Sequence, residues 1–70
     1  MTTRSEIGSK IKELRIKRGI TTRKLEELTG YSHSNITRIE AGRYSVGIDI
    51  ICNILDKLNA ELDITEKAAE

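Results

Sequence analysis

Between Tyr31 and Arg43 the chain reads YSHSNITRIEAGR, small polar and charged side chains interrupted by two isoleucines. On a helix turning about 100° per residue, Ile36 and Ile39 define one face and Glu40 lands beside them. Ser34, Arg38 and Ala41 fall on the opposite face, His33 and Thr37 flank it, and Asn35 sits at its edge. The result is a short hydrogen-bonding surface tipped with a cation. Such a surface can lie in a DNA major groove, where its side chains reach base edges and no bulky apolar group blocks approach. A solvated helix face is the plainer alternative. Nothing here supports catalysis: His33 and Cys52, the lone histidine and cysteine, fall in different helices without a base–orienter set, and no glycine-rich phosphate loop appears. They also fall short of a structural zinc set. The expectation is a protein that is not an enzyme and uses no metal or cofactor.

The elements that must carry this surface are legible from caps and periodicity. Ile7, Ile11 and Leu14 recur at helical spacing, preceded by Thr3 or Ser5 as caps and closed by Lys17-Arg18-Gly19, which predicts a helix over about 5–18. Thr21 caps a second short helix that carries Leu25 and Leu28 and stops at Gly30. The reciprocal carboxylate expected three residues after that cap is replaced by Lys24. Ser32 caps a third helix over about 33–41, ended by Gly42. After a loop from Arg43 to Gly47, a fourth helix over about 48–58 buries Ile48, Ile51, Ile54, Leu55 and Leu58, with Cys52 as a small buried group. Asn59 suits the left-handed turn that would end it. Ala60-Glu61-Leu62-Asp63-Ile64 then alternates apolar and acidic residues, the pattern of a half-buried strand.

Composition bounds the rest. The 70 residues form one domain at most, assigned to 1–64 with a frayed tail at 65–70. Cores in chains below roughly 70–80 residues are marginal without a staple or partner. A single cysteine excludes an internal disulfide, so oligomerisation is expected. No apolar run nears the roughly 18 residues of a membrane span, and Met-Thr-Thr-Arg-Ser-Glu lacks a signal peptide's apolar core, which points to a cytoplasmic protein. Asn35-Ile36-Thr37 matches a glycosylation sequon by chance in such a chain. The net charge of +1 conceals a division: residues 1–44 hold ten Lys/Arg against five Asp/Glu, and residues 45–70 hold two against six. The front half is suited to an anionic partner.

Two short helices joined by a glycine-containing turn, the second with an exposed polar face, make a helix-turn-helix at about 21–42. Here the sequence resembles the phage repressor and Cro (XRE-like) family. The resemblance runs from Ile7 to about Leu62 and is carried by Lys12-Glu13-Leu14-Arg15, Gly19-Ile20-Thr21, Leu25, Gly30-Tyr31-Ser32, Ile36, Ile39-Glu40, Gly42 and the Leu55–Leu58 segment. It implies an all-α, lambda-repressor-like domain of four to five helices that binds double-stranded DNA as a transcriptional regulator, most simply a repressor. The helical wheel allows Glu40 to pair with Arg15 or Arg18, and the resemblance favours Arg15, as a structural ion pair. It also implies base contacts from His33, Ser34, Thr37 and Arg38. Phosphate contacts would come from Thr22, Arg23, Ser32, Asn35, Arg43 and Tyr44, with loop packing the alternative for Tyr44. Lys10, Lys12, Lys17 and Arg18 are expected to be mostly solvated.

The sequence departs from the family at two places. Thr22 stands where the family has a longer glutamine, which puts its phosphate contact in doubt and brings in Arg23. Glu26 stands where the family prefers alanine in the packing of the second helix, which puts the usual tight approach to the third in question. Ile16 points away from the apolar face of its helix.

One such module makes few base contacts, so tight specific binding normally needs a symmetric dimer. Two surfaces are available for a homodimer: Ile50 and Asn53 on the outer side of the fourth helix, and Leu62 and Ile64 in the alternating tail. A lone strand satisfies its backbone groups by pairing with its copy, a plan that resembles HipB-like antitoxins. Such a protein would have a protein toxin as a second partner. The alternatives are that Leu62 and Ile64 fold back on their own core, or that Thr65 caps a fifth helix. A domain that only dimerises is a further possibility, against which Arg38 and Arg43 argue. Seventy residues leave no room for an effector domain, so regulation would come from dissociation, proteolysis, a partner or a longer parent chain.

Overall fold

The computed structural model describes residues 3–62. Four helices follow in order: α1 (Arg4–Lys17), α2 (Thr22–Thr29), α3 (His33–Glu40) and α4 (Ile48–Lys57). No strand occurs among the described residues.

The first three helices begin the same way. Thr3, Thr21 and Ser32 hold extended backbone while their hydroxyl oxygens accept from the backbone N–H of Glu6, Lys24 and Asn35, at 3.2, 3.0 and 3.2 Å. Each bond satisfies an amide that the helix itself cannot. α4 starts at Gly47 without a side-chain cap. Left-handed residues close the ends, with Asn59 (φ 55°) following α4. Gly30 (φ 84°) is the residue that ends α2 and turns the chain toward α3, a backbone conformation in which a side chain is strained.

Every helix contributes to one core: Ile11 from α1, Leu25 from α2, Ile36 and Ile39 from α3, Ile51, Ile54 and Leu55 from α4, and Leu58 just beyond it. α3 packs against both α1 and α2, and α2 also packs against α4. The α1–α3 approach depends on Gly8. A Cβ there would lie 2.7 Å from the Glu40 carbonyl oxygen and closer still to that of Ile39. Both are backbone atoms, which cannot step aside without moving α3.

The structure corrects several expectations. Ile48 is 59% exposed, because it lies in the first turn of α4 where no helix covers it. Leu28 is 39% exposed near the end of α2. Cys52 is exposed, since it lies about 100° around α4 from Ile51 and so off the buried stripe. Arg18 is exposed as expected, and beyond that its Nε donates to the Leu58 carbonyl at 3.0 Å and ties the end of α1 to the end of α4. Residues 60–62 are irregular, with Ala60 half-buried against the core and Leu62 47% exposed. The remainder of the expected strand, including Ile64, and the tail at 65–70 lie outside the described residues. No helix among those residues is long and apolar enough to cross a membrane.

Candidate nucleic-acid interface

α3 is only eight residues long, too short to hold its own geometry without tertiary support. Ile36 and Ile39 supply the apolar anchor, and Glu40, 8% exposed, supplies a polar one. Arg15 Nε donates to Glu40 Oε2 at 2.7 Å and Nη2 donates to Oε1 at 3.1 Å, the paired geometry that arginine makes best with carboxylate. Nη1 of the same guanidinium donates to the Ile20 carbonyl at 2.9 Å. One side chain therefore fastens α1, the turn before α2 and the end of α3. Of the two arginines the helical wheel allows, the structure selects Arg15.

With that side pinned, α3 turns Ser34, Thr37 and Arg38 to solvent. Thr37 Oγ1 donates to the His33 carbonyl at 2.9 Å, which fixes its rotamer and leaves its methyl and oxygen lone pairs outward. Ser32 is half-buried, its oxygen occupied by the Asn35 amide and its hydroxyl hydrogen still free to donate. Asn35 is half-buried at the edge of the surface, and Thr22 is half-buried at the start of α2 with Arg23 exposed beside it. After α3, the Arg43 amide donates to the Arg38 carbonyl at 2.9 Å, so the loop leaves at a fixed angle with the Arg43 side chain exposed. Tyr44, 38% exposed, borders a shallow recess of about 70 Å³ that it shares with Arg4, Ile7, Ile39, Val46 and Ile51. Part of its ring thus belongs to loop packing.

His33 and Glu26 make the contact that sequence reasoning missed. Glu26 Oε1 lies 3.0 Å from His33 Nδ1 and joins α2 to the first residue of α3. The hydrogen bond from the imidazole is the main cause that lowers the Glu26 carboxyl below its ordinary value. Burial opposes it, while the His33 backbone amide and the charges of His33 and Arg23 reinforce it. At this place the chain joins the two helices with a polar contact. The available signal was the seven-residue spacing across a glycine turn, which brings the inner part of one helix to the start of the next.

Of the residues proposed for a dimer, Ile50 and Asn53 share α4 and Leu62 ends the described chain. Ile50 is half-buried against the core. Asn53, also half-buried, donates its amide to the Tyr31 hydroxyl at 3.4 Å, a long bond that occupies one side of α4. Leu62 borders an apolar recess of about 130 Å³ between α1 and α4, with Ile7, Ile11, Leu14 and Leu55.

The sequence pattern of the family described as "Helix-turn-helix domain" matches residues 6–68. Among solved structures, two crystal structures of the clp gene regulator ClgR from Corynebacterium glutamicum superpose with TM-scores of 0.82 and 0.84, both at 24% identity. The alignments cover 87% and 89% of this chain, which spans 65% and 80% of the ClgR chains. A chain of a toxin–antitoxin module from Streptococcus pneumoniae superposes with a TM-score of 0.71 at 35% identity, over 90% of this chain and 69% of that one. No curated protein matches the chain.

Proposed function

The chain belongs to the helix-turn-helix domain family, and from that premise we propose that it is a sequence-specific regulator that binds double-stranded DNA as a homodimer and represses transcription. The observation that carries this reading is the division of α3: Ile36, Ile39 and Glu40 are buried, while Ser34, Thr37 and Arg38 stand in solvent, with Arg43 just beyond. His33, Ser34, Thr37 and Arg38 read base edges in the major groove. Thr22, Arg23, Ser32, Asn35, Arg43 and Tyr44 meet the backbone on either side. Phosphate contacts set position and affinity, and base contacts set sequence. The Arg15–Glu40 pair fixes the angle at which α3 is offered. Two copies, joined through the α4 side (Ile50, Asn53) or through the chain end (Leu62, Ile64), address half-sites about 34–36 Å apart. Repression then needs nothing beyond occupancy of a promoter.

The regulatory role of ClgR fits this reading. Selection from a random duplex library tests it, and the expected product is a site of two inverted half-sites. Enrichment of no sequence by the folded protein contradicts it.

The 35% identity to a toxin–antitoxin chain favours a second reading, in which the same DNA-binding body also neutralises a protein toxin. A toxic neighbouring gene whose effect this chain relieves would establish that role, and a harmless neighbourhood would remove its basis.

A further inference from the structure

The Glu26–His33 contact sits at the opening of α3, and its consequence for base recognition rests on the reading of α3 as the DNA-facing helix. Glu26 Oε1 is 3.0 Å from His33 Nδ1, and the side chains are 40% and 35% exposed, so the pair lies at the rim of the domain where a macromolecule can reach it. An ionised carboxylate only accepts. A neutral imidazole facing it must therefore carry its proton on Nδ1, which leaves a bare lone pair on Nε2. Nε2 makes no hydrogen bond among the described residues, and none of their buried side-chain nitrogen or oxygen atoms lacks a partner. The lone pair therefore faces solvent.

Major-groove edges differ in what they offer such an acceptor. Adenine and cytosine present exocyclic amino donors, whereas guanine and thymine present acceptors at the corresponding positions. We propose that Glu26 is a specificity-determining positioning residue: by engaging Nδ1 it commits the neutral imidazole of His33 to present Nε2 as an acceptor, which selects the amino group of adenine or cytosine. The carboxylate also faces the His33 backbone amide, and the Arg23 charge favours its ionised form.

The test has two arms, both on the full chain at about pH 8. Long-range proton–nitrogen correlation on ¹⁵N-histidine protein reports the tautomer. It is expected to show protonated Nδ1 and bare Nε2 in the wild type, moving toward the opposite form in Glu26→Ala. Glu26 is 40% exposed at the rim of the domain, so that variant is expected to keep the fold, which its far-UV circular dichroism checks. Selection from a random duplex library reports the bases. The wild type is expected to favour an amino-bearing base at one position per half-site by about fivefold, the worth of one net hydrogen bond. Glu26→Ala and His33→Ala should each lose that preference and keep the others, and the double variant should lose no more. Protonated Nε2 in the wild type, or an unchanged preference in Glu26→Ala, overturns the proposal. A wild type with protonated Nδ1 that enriches no duplex overturns instead the placement of α3 on DNA, and the base assignment falls with it.

Discussion

Arg15 and Glu40 stand 25 residues apart and form a two-point ion pair, at 2.7 and 3.1 Å, with side chains 13% and 5% exposed. The pair lies on the inner side of the helix whose outer side carries Arg38. Its role is to set an angle: α3 is short, and two isoleucines alone would let it roll. Burial makes the pair interdependent, because either charge left alone would be desolvated without compensation.

Glu40→Ala should therefore cost about 3 kcal/mol or more, the range for stranding one member of a buried pair. A small domain has little more than that in reserve. Urea denaturation should show the loss as a lower midpoint with an unchanged slope, and a midpoint near the wild type's would mean the pair is dispensable.

Gly8→Ala provides a test of opposite sign to intuition. In an exposed helix the change should stabilise by up to about 1 kcal/mol. Here the added Cβ meets the backbone of Ile39 and Glu40, so the variant should instead lose about 1–3 kcal/mol through overpacking. Thermal unfolding decides the sign.

Acid should weaken the α2–α3 contact. His33 holds the Glu26 carboxyl below its ordinary value of 4.5. The unfolded chain therefore takes up the proton first as pH falls. The stabilisation is complete above about 4.5 and is lost as pH falls through the lowered folded value. The urea midpoint of the wild type should drop more steeply below that pH than that of Glu26→Gln. Parallel curves would show that the contact does not stabilise the fold.

Cys52 should react with a thiol reagent in the native protein without denaturant, since it is exposed on α4. Cys52→Ser should change stability by less than about 0.5 kcal/mol, as surface substitutions do. A thiol that reacts only on unfolding would place it in the core.

The helices were legible in the sequence because their signals are local: a hydroxyl before each of the first three, and glycine or asparagine after the turns. The outward face of α3 was legible for the same reason, because two isoleucines fix the wheel. The partner of Glu40 was only half legible, since periodicity left Arg15 and Arg18 equivalent and the resemblance chose between them. Gly8 could not be found this way, because its role depends on where α3 crosses α1. Glu26 was marked as a departure, but its bond to His33 depends on the path of the turn at Gly30. Cys52 was not legible from residue type, because cysteine is usually buried whereas its angle on α4 sets it off the buried stripe.

The most direct measurement of the central claim, that the surface from α3 into the following loop lies on DNA, is binding to random duplex as a function of salt. Wild type is compared with the Arg38→Ala, Arg43→Ala double variant. The wild type should bind nonspecifically at about micromolar strength and weaken steeply as salt rises. The double variant should bind more weakly, with a log–log slope shallower by about one for each phosphate contact removed. A folded protein that fails to bind at low salt, or a double variant with the wild-type affinity and slope, would contradict the account.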